Sequence, residues 1–121
     1  MAKNILICDD AAFMRMMIKD ILVKNGYNIA GEAENGVKAV EKYQETKPDL
    51  VLMDINMPVM DGYEALRGVR EISPDVPVIA LTAYAFETDR QRMFQAGFNE
   101  CLAKPLRADE LRTRIAALLS R

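Results

Sequence analysis

Five short apolar runs, each cut off by polar or turn-forming residues, govern what this chain can fold into. They are Asn4-Ile5-Leu6-Ile7-Cys8, Asn28-Ile29-Ala30-Gly31-Glu32-Ala33, Leu50-Val51-Leu52-Met53, Val78-Ile79-Ala80-Leu81 and Cys101-Leu102-Ala103. Apolar runs this short, bounded by turn chemistry, read as strands buried on both faces. The second run alternates polar and apolar residues, so it reads as an edge strand.

Helical periodicity fills the intervals. From Ala11 to Lys24, Phe13, Met17 and Ile21 form one row and Met14, Ile18 and Leu22 its neighbour. Asn25-Gly26 then supplies a left-handed cap. A second helix, Val37 to Thr46, places Val37, Val40 and Tyr43 on one face, and Pro48 blocks its continuation. The third, Tyr63 to Ile72, turns Leu66 and Val69 inward and breaks at Ser73-Pro74-Asp75. The fourth, Phe86 to Ala96, has the weakest pattern, because Glu87 to Arg92 is wholly polar. The last, Asp109 to Leu119, carries Leu111, Ile115, Leu118 and Leu119 on one stripe, with Asp109 and Glu110 in the first turn, where they suit the helix dipole.

Strands that alternate with helical crossovers imply a parallel sheet covered on both faces. A closed barrel needs about eight such units; this chain offers five. An open, doubly wound α/β sheet is therefore expected. With 121 residues and 50% hydrophobic composition, the chain is long enough for one core, read as a single domain over residues 1–121.

Composition removes several functions. The formal net charge of -2 leaves no broad basic surface, which argues against nucleic-acid or anionic-membrane binding. No signal peptide is apparent, and no run approaches the roughly 18 apolar residues of a membrane span, so a cytoplasmic location is expected. The chain has no histidine, which excludes histidine acid–base chemistry and His-ligated zinc. Cys8 and Cys101 lie inside strands without metal-type spacing and read as buried, reduced thiols.

The chemistry sits where the strands stop. Asp9-Asp10 follow the first run, Asp54 the third, Thr82 the fourth and Lys104-Pro105 the fifth. In a parallel sheet all these ends share one edge, the edge at which open α/β sheets bind ligands. Three carboxylates brought together oppose one another's ionisation. Magnesium relieves that repulsion, taking carboxylates, a backbone oxygen, water and commonly a phosphate. Lys104 adds positive charge and Thr82 a hydroxyl, the parts that stabilise a transferring phosphoryl group. Asp54 can itself be the nucleophile and form an aspartyl phosphate. Taken singly, each residue has a plainer reading. Asp9-Asp10 can cap the first helix, Asp54 can cap a turn, and Thr82 and Lys104 can be ordinary surface groups. Their conjunction at four strand ends favours the chemical reading.

Over its whole length the chain resembles the receiver domain of two-component response regulators. The matching pieces are Asp9-Asp10, Met53-Asp54-Ile55-Asn56-Met57-Pro58 with Met60-Asp61-Gly62, Leu81-Thr82-Ala83 and Ala103-Lys104-Pro105. The stretch from Asp9 to Met17 is similar to stand-alone chemotaxis receivers of the CheY type, and that from Phe98 to Leu106 to receivers of hybrid sensor kinases. The resemblance implies a flavodoxin-like fold with strand order 2-1-3-4-5. It implies that Asp54 accepts a phosphoryl group from a phosphohistidine on a sensor kinase or phosphotransfer protein. Magnesium would be held by Asp9, Asp54 and the Asn56 carbonyl, with Asp10 helping. Lys104 would contact the phosphoryl group, Thr82 would report the switch, and the Lys104-Pro105 peptide would be cis. Output would be binding of a downstream protein through the surface of the fourth helix, fifth strand and fifth helix. With that order Cys8 and Cys101 lie three strand steps apart, roughly 14 Å, beyond disulfide reach.

One position departs from the family. Three residues before the lysine, where an aromatic usually couples to the threonine, this chain has Cys101. Either the switch is then weak, or it runs through the fourth helix and its loop, with Tyr84 a candidate participant or a plain surface tyrosine. Three other readings compete: an aspartyl-nucleophile phosphohydrolase, a receiver-like scaffold that works without phosphorylation, and a flavin-binding protein. The phosphohydrolase typically needs a second aspartate where this chain has Asn56. Flavin phosphate would meet Asp9-Asp10 in place of a cradle of glycines or hydroxyls.

Overall fold

A computed structural model describes residues 2–83 and 87–120. Ten elements alternate without exception: β1 (Asn4–Cys8), α1 (Ala12–Lys24), β2 (Asn28–Ala33), α2 (Gly36–Thr46), β3 (Leu50–Asp54), α3 (Gly62–Ile72), β4 (Val78–Thr82), α4 (Glu87–Ala96), β5 (Glu100–Ala103) and α5 (Ala108–Leu119). The strands form one parallel sheet in the order β2-β1-β3-β4-β5. This is the flavodoxin-like order, with β2 at an edge.

Strand side chains point alternately to the two faces, and the two apolar clusters follow that alternation. Leu6, Cys8, Val51, Met53, Val78, Ala80 and Cys101 pack with residues of α2, α3 and α4, among them Tyr43, Leu66, Val69 and Met93. Ile5, Ile7, Leu50, Leu52, Ile79, Leu81 and Leu102 pack with Met14, Ile18 and Leu22 of α1 and Leu111, Ile115 and Leu118 of α5. β3 sits mid-sheet, and all its residues are buried. Cys8 and Cys101 are buried free thiols.

Two inward assignments fail. Phe13 is 70% exposed and Val37 is 38% exposed. In α1 the row Met14, Ile18, Leu22 is buried, while Met17 and Ile21 pack at its flank. The apolar stripe is thus narrower than the sequence pattern, and Phe13 lies outside it. In α2 the buried face is Gly36, Ala39 and Tyr43, which turns Val37 toward solvent.

Three helices also start one residue earlier than periodicity suggests, at Gly36, Gly62 and Ala108. Asn35 and Asp61, which read as turn residues, are N-caps whose side chains accept from the Lys38 and Glu64 N–H groups at 2.9 Å. The glycines after them are required by packing. A Cβ on Gly36 would overlap the Met60 carbonyl, and one on Gly62 would lie 2.6 Å from the Ile55 Cα. Phe86, the expected start of the fourth helix, and Tyr84 lie outside the described residues.

Candidate functional site

The topology carries four strand ends to one edge. Asp9 directly follows β1, Asp54 ends β3, Thr82 ends β4 and Lys104 directly follows β5. Asp9, Asp54 and Thr82 are buried, at 0%, 3% and 0% exposure. Asp10 and Asn56 are exposed beside them. Oxygen atoms of the Asp9, Asp10 and Asp54 carboxylates lie within 4.8 Å of one another. The Lys104 ammonium stands 2.9 Å from Asp9 Oδ2 and 3.2 Å from Asp54 Oδ2. Five of the six residues singled out from the sequence thus meet in one charged cluster or end the strands that carry it, and Asn56 joins them through its N–H group.

Each carboxylate oxygen has a traceable fate. Asp54 Oδ1 accepts from the Asn56 N–H at 3.0 Å, which holds the loop after β3 against its own strand end. Asp9 Oδ1 accepts from the Ala11 N–H at 2.9 Å. Ala11 is the N-cap residue of α1 and offers no side-chain cap, so Asp9 does serve the helix start. That duty uses one oxygen. Asp9 Oδ2 is buried and paired with the Lys104 ammonium at 2.9 Å, with no further hydrogen bond among the described residues. A buried carboxylate that shares its cation with a second one is costly unless further positive charge meets it.

The electrostatics point the same way. Burial, the largest influence, raises the Asp54 pKa above its ordinary 3.8; the Asn56 N–H and the Lys104 charge oppose this and are outweighed. Burial also works against the charged form of Lys104. Its hydrogen bond to Asp9 and the charges of Asp54 and Asp9 prevail, so its pKa lies above the ordinary 10.5. Lys104 therefore stays cationic. One ammonium against three carboxylates leaves an excess of negative charge on hard oxygen donors. That donor set fits a divalent cation of the magnesium class and not a soft metal.

A cleft of about 330 Å³ opens beside the cluster, lined by Asn56, Thr82, Tyr63, Asp89 and Arg92 among others. The Arg92 guanidinium sits 4.4 Å over the Tyr63 ring. Tyr63 in turn meets Phe98 edge-on at 5.8 Å. Cys101 is buried in the same cluster as Phe98. Tyr63 at the start of α3 and Phe98 ahead of β5 thus form an aromatic contact that no periodicity reveals. The loop that leads from β3 to α3 holds Val59 at φ 68°, a left-handed conformation rare for a β-branched residue. The Lys104-Pro105 peptide is cis.

The sequence profile of the response regulator receiver domain matches residues 5–116. The chain belongs to the response regulator receiver family. The chemotaxis protein CheY of Bacillus subtilis (strain 168) is 52% identical over 111 residues, covering 92% of each chain. The sensor protein EvgS of Escherichia coli (strain K12) is 40% identical over 115 residues, 95% of this chain and 10% of that protein. The receiver domain of the sensor histidine kinase PA1611 from Pseudomonas aeruginosa PAO1, solved with a magnesium ion in its active-site cleft, matches with a TM-score of 0.90 at 34% identity, covering 100% of both. Chemotaxis and kinase-attached receivers thus both match this receiver, each along nearly its whole length and not along one half. It is a domain of two-component signal transduction. No helix among the described residues is long and apolar enough to cross a membrane.

Proposed function

We propose that this receiver is a magnesium-dependent phosphoacceptor switch in which Asp54 takes a phosphoryl group from a phosphohistidine on a sensor kinase or phosphotransfer protein. The observation that carries the reading is the buried Asp54 carboxylate, 3.2 Å from a Lys104 ammonium that it shares with the buried Asp9 carboxylate. In the transfer, an Asp54 oxygen forms a bond to phosphorus while the phosphorus–nitrogen bond breaks. The electron pair of that bond leaves with the donor imidazole. Hydrolysis of the resulting acyl phosphate returns the Asp54 carboxylate and inorganic phosphate.

Asp9, Asp10, Asp54 and the Asn56 carbonyl would hold the magnesium, which when bound neutralises charge on the phosphoryl oxygens. Lys104, tethered to Asp9 and Asp54 at rest, is within reach of a phosphoryl group on Asp54 and would exchange a carboxylate for a phosphoryl oxygen. Thr82, buried at the neighbouring strand end, would place its hydroxyl against the same group. Because the phosphoryl group resides on the protein's own aspartate, the domain is a switch and not an enzyme acting on an external substrate. Its output would be a downstream protein bound at the α4-β5-α5 surface, without nucleic acid or membrane.

Intact mass after incubation with acetyl phosphate and Mg²⁺ tests the reading. One added phosphoryl group is expected on the parent, and none on Asp54→Asn or in EDTA. Addition that persists in Asp54→Asn, or no addition even from a phosphohistidine donor, would refute it.

A further inference from the structure

Arg15 contacts none of the three clustered carboxylates, yet it grips the backbone that carries two of them. Its Nη1 donates to the Asp9 carbonyl at 2.6 Å, and its Nε donates to Glu32 Oε1 at 3.2 Å. The Arg15 side chain is only 16% exposed. Glu32 lies on β2, where its other oxygen meets the Lys19 ammonium at 2.6 Å. Its pKa is lowered, chiefly by the Lys19 hydrogen bond, so it stays anionic and holds the guanidinium. From the other side, the Asp9 N–H donates to the Ala33 carbonyl at 3.0 Å. The peptide units flanking Asp9 are therefore fixed on both sides, by β2 and by Arg15, and Asp9 Oδ1 closes the turn onto Ala11.

We propose that Arg15 is a positioning residue for the metal site: clamped by Glu32, it holds the Asp9 carbonyl and so aims the Asp9 and Asp10 carboxylates at a divalent cation. The inference rests on the reading of Asp9, Asp10 and Asp54 as magnesium ligands. Groups that orient metal ligands from behind typically change metal affinity about 10- to 100-fold when removed. Coulomb's law gives the opposite sign. Deleting a nearby positive charge would, by itself, make an acidic cluster bind a cation more tightly. The direction of the change therefore separates positioning from charge.

The experiment is titration of the whole chain with Mn²⁺, followed by the loss of free-ion EPR signal, beside melting curves without metal. Arg15→Ala is expected to weaken Mn²⁺ binding about tenfold or more. Arg15→Lys should recover little of this, since one ammonium cannot span the Asp9 carbonyl and Glu32 as a fork does. Glu32→Ala, at a partly exposed site, should weaken binding less and add nothing in the Arg15→Ala background. With acetyl phosphate, Arg15→Ala should raise the Mg²⁺ half-saturation while keeping most of the maximal rate. Unchanged or tighter Mn²⁺ binding in Arg15→Ala, whatever its melting temperature, would overturn the proposal, as would full rescue by lysine. Should Arg15→Ala fail to fold, parental affinity in Glu32→Ala overturns it instead. A parent that binds no Mn²⁺, or binds equally after Asp9→Asn, would overturn the metal reading along with it.

Discussion

The two ends of the sheet both hold charge, half-buried at one and buried at the other, and they treat it in opposite ways. At the amino-end edge, the Arg70 guanidinium donates to the Val76 carbonyl at 2.6 Å, the Gly97 carbonyl at 2.8 Å and Asn99 Oδ1 at 2.9 Å. Asn99 Oδ1 also accepts from the Val78 N–H at 2.9 Å, and Asp49 Oδ2 accepts from the Asn4 N–H at 2.7 Å. Neutral acceptors satisfy that cation, and the network ties α3 to the starts of β4 and β5. At the carboxyl-end edge, three carboxylates cluster around one lysine, which Asp9 and Asp54 share at 2.9 and 3.2 Å. A charge met by neutral acceptors holds a fold together; carboxylates in excess over their one cation leave room for a further cation. The difference makes the carboxyl-end edge the candidate site.

The sharpest way to break this contrast is to remove each cation in turn. Lys104→Met leaves Asp9 and Asp54 buried without compensation, so the metal-free protein should lose about 3–5 kcal/mol. Much of that loss should return in saturating Mg²⁺. Arg70→Ala should cost about 2–3 kcal/mol through orphaned carbonyls, and Mg²⁺ should make no difference to that cost. Urea unfolding with and without the ion measures both. Equal Mg²⁺ responses in the two variants would erase the distinction between the edges.

The smallest effect has the opposite sign. Asp54→Asn removes one carboxylate, leaves Asp9 paired with Lys104 and keeps an acceptor for the Asn56 N–H. The metal-free protein should gain about 1 kcal/mol. A carboxylate whose folded pKa lies above its unfolded value costs stability once it is ionised in both states, and the cost fades as the pH falls through the folded value. The advantage of Asp54→Asn should therefore be full near neutrality and disappear in acid, as the parental Asp54 protonates at a pKa raised above 3.8. An advantage independent of pH would mean that packing, not charge, sets it.

Much of the fold was legible because period and punctuation are local. β1 and β2 match their predicted bounds, and the ends of all five strands fall where polar or turn residues interrupt the apolar runs. The cluster was legible for the same reason: a parallel sheet must bring its carboxyl ends together, so Asp9, Asp54 and Lys104 had to converge. Periodicity misjudged Phe13, because an apolar residue one position off a buried row is still apolar to any pattern, while only the neighbouring elements decide how wide the covered stripe is. The helix starts at Gly36 and Gly62 were missed because Asn-Gly and Asp-Gly carry the same signal for a turn as for a capped helix. What selects the cap is the close approach of Met60 and Ile55.

The chain's own order of residues determined that strands and helices would alternate, that the sheet would be parallel, and that acids, a hydroxyl and a lysine would share one edge. Tertiary structure alone decided that Asp9 and Asp54 would share one ammonium, that Arg70 would be satisfied by carbonyls 6 and 27 residues away, and that Arg15 would reach the Asp9 backbone and Glu32 at once. The reason is one of range. Alternation and capping depend on neighbours along the chain, whereas the partner of a buried charge depends on which distant backbone groups packing places within 3 Å of it.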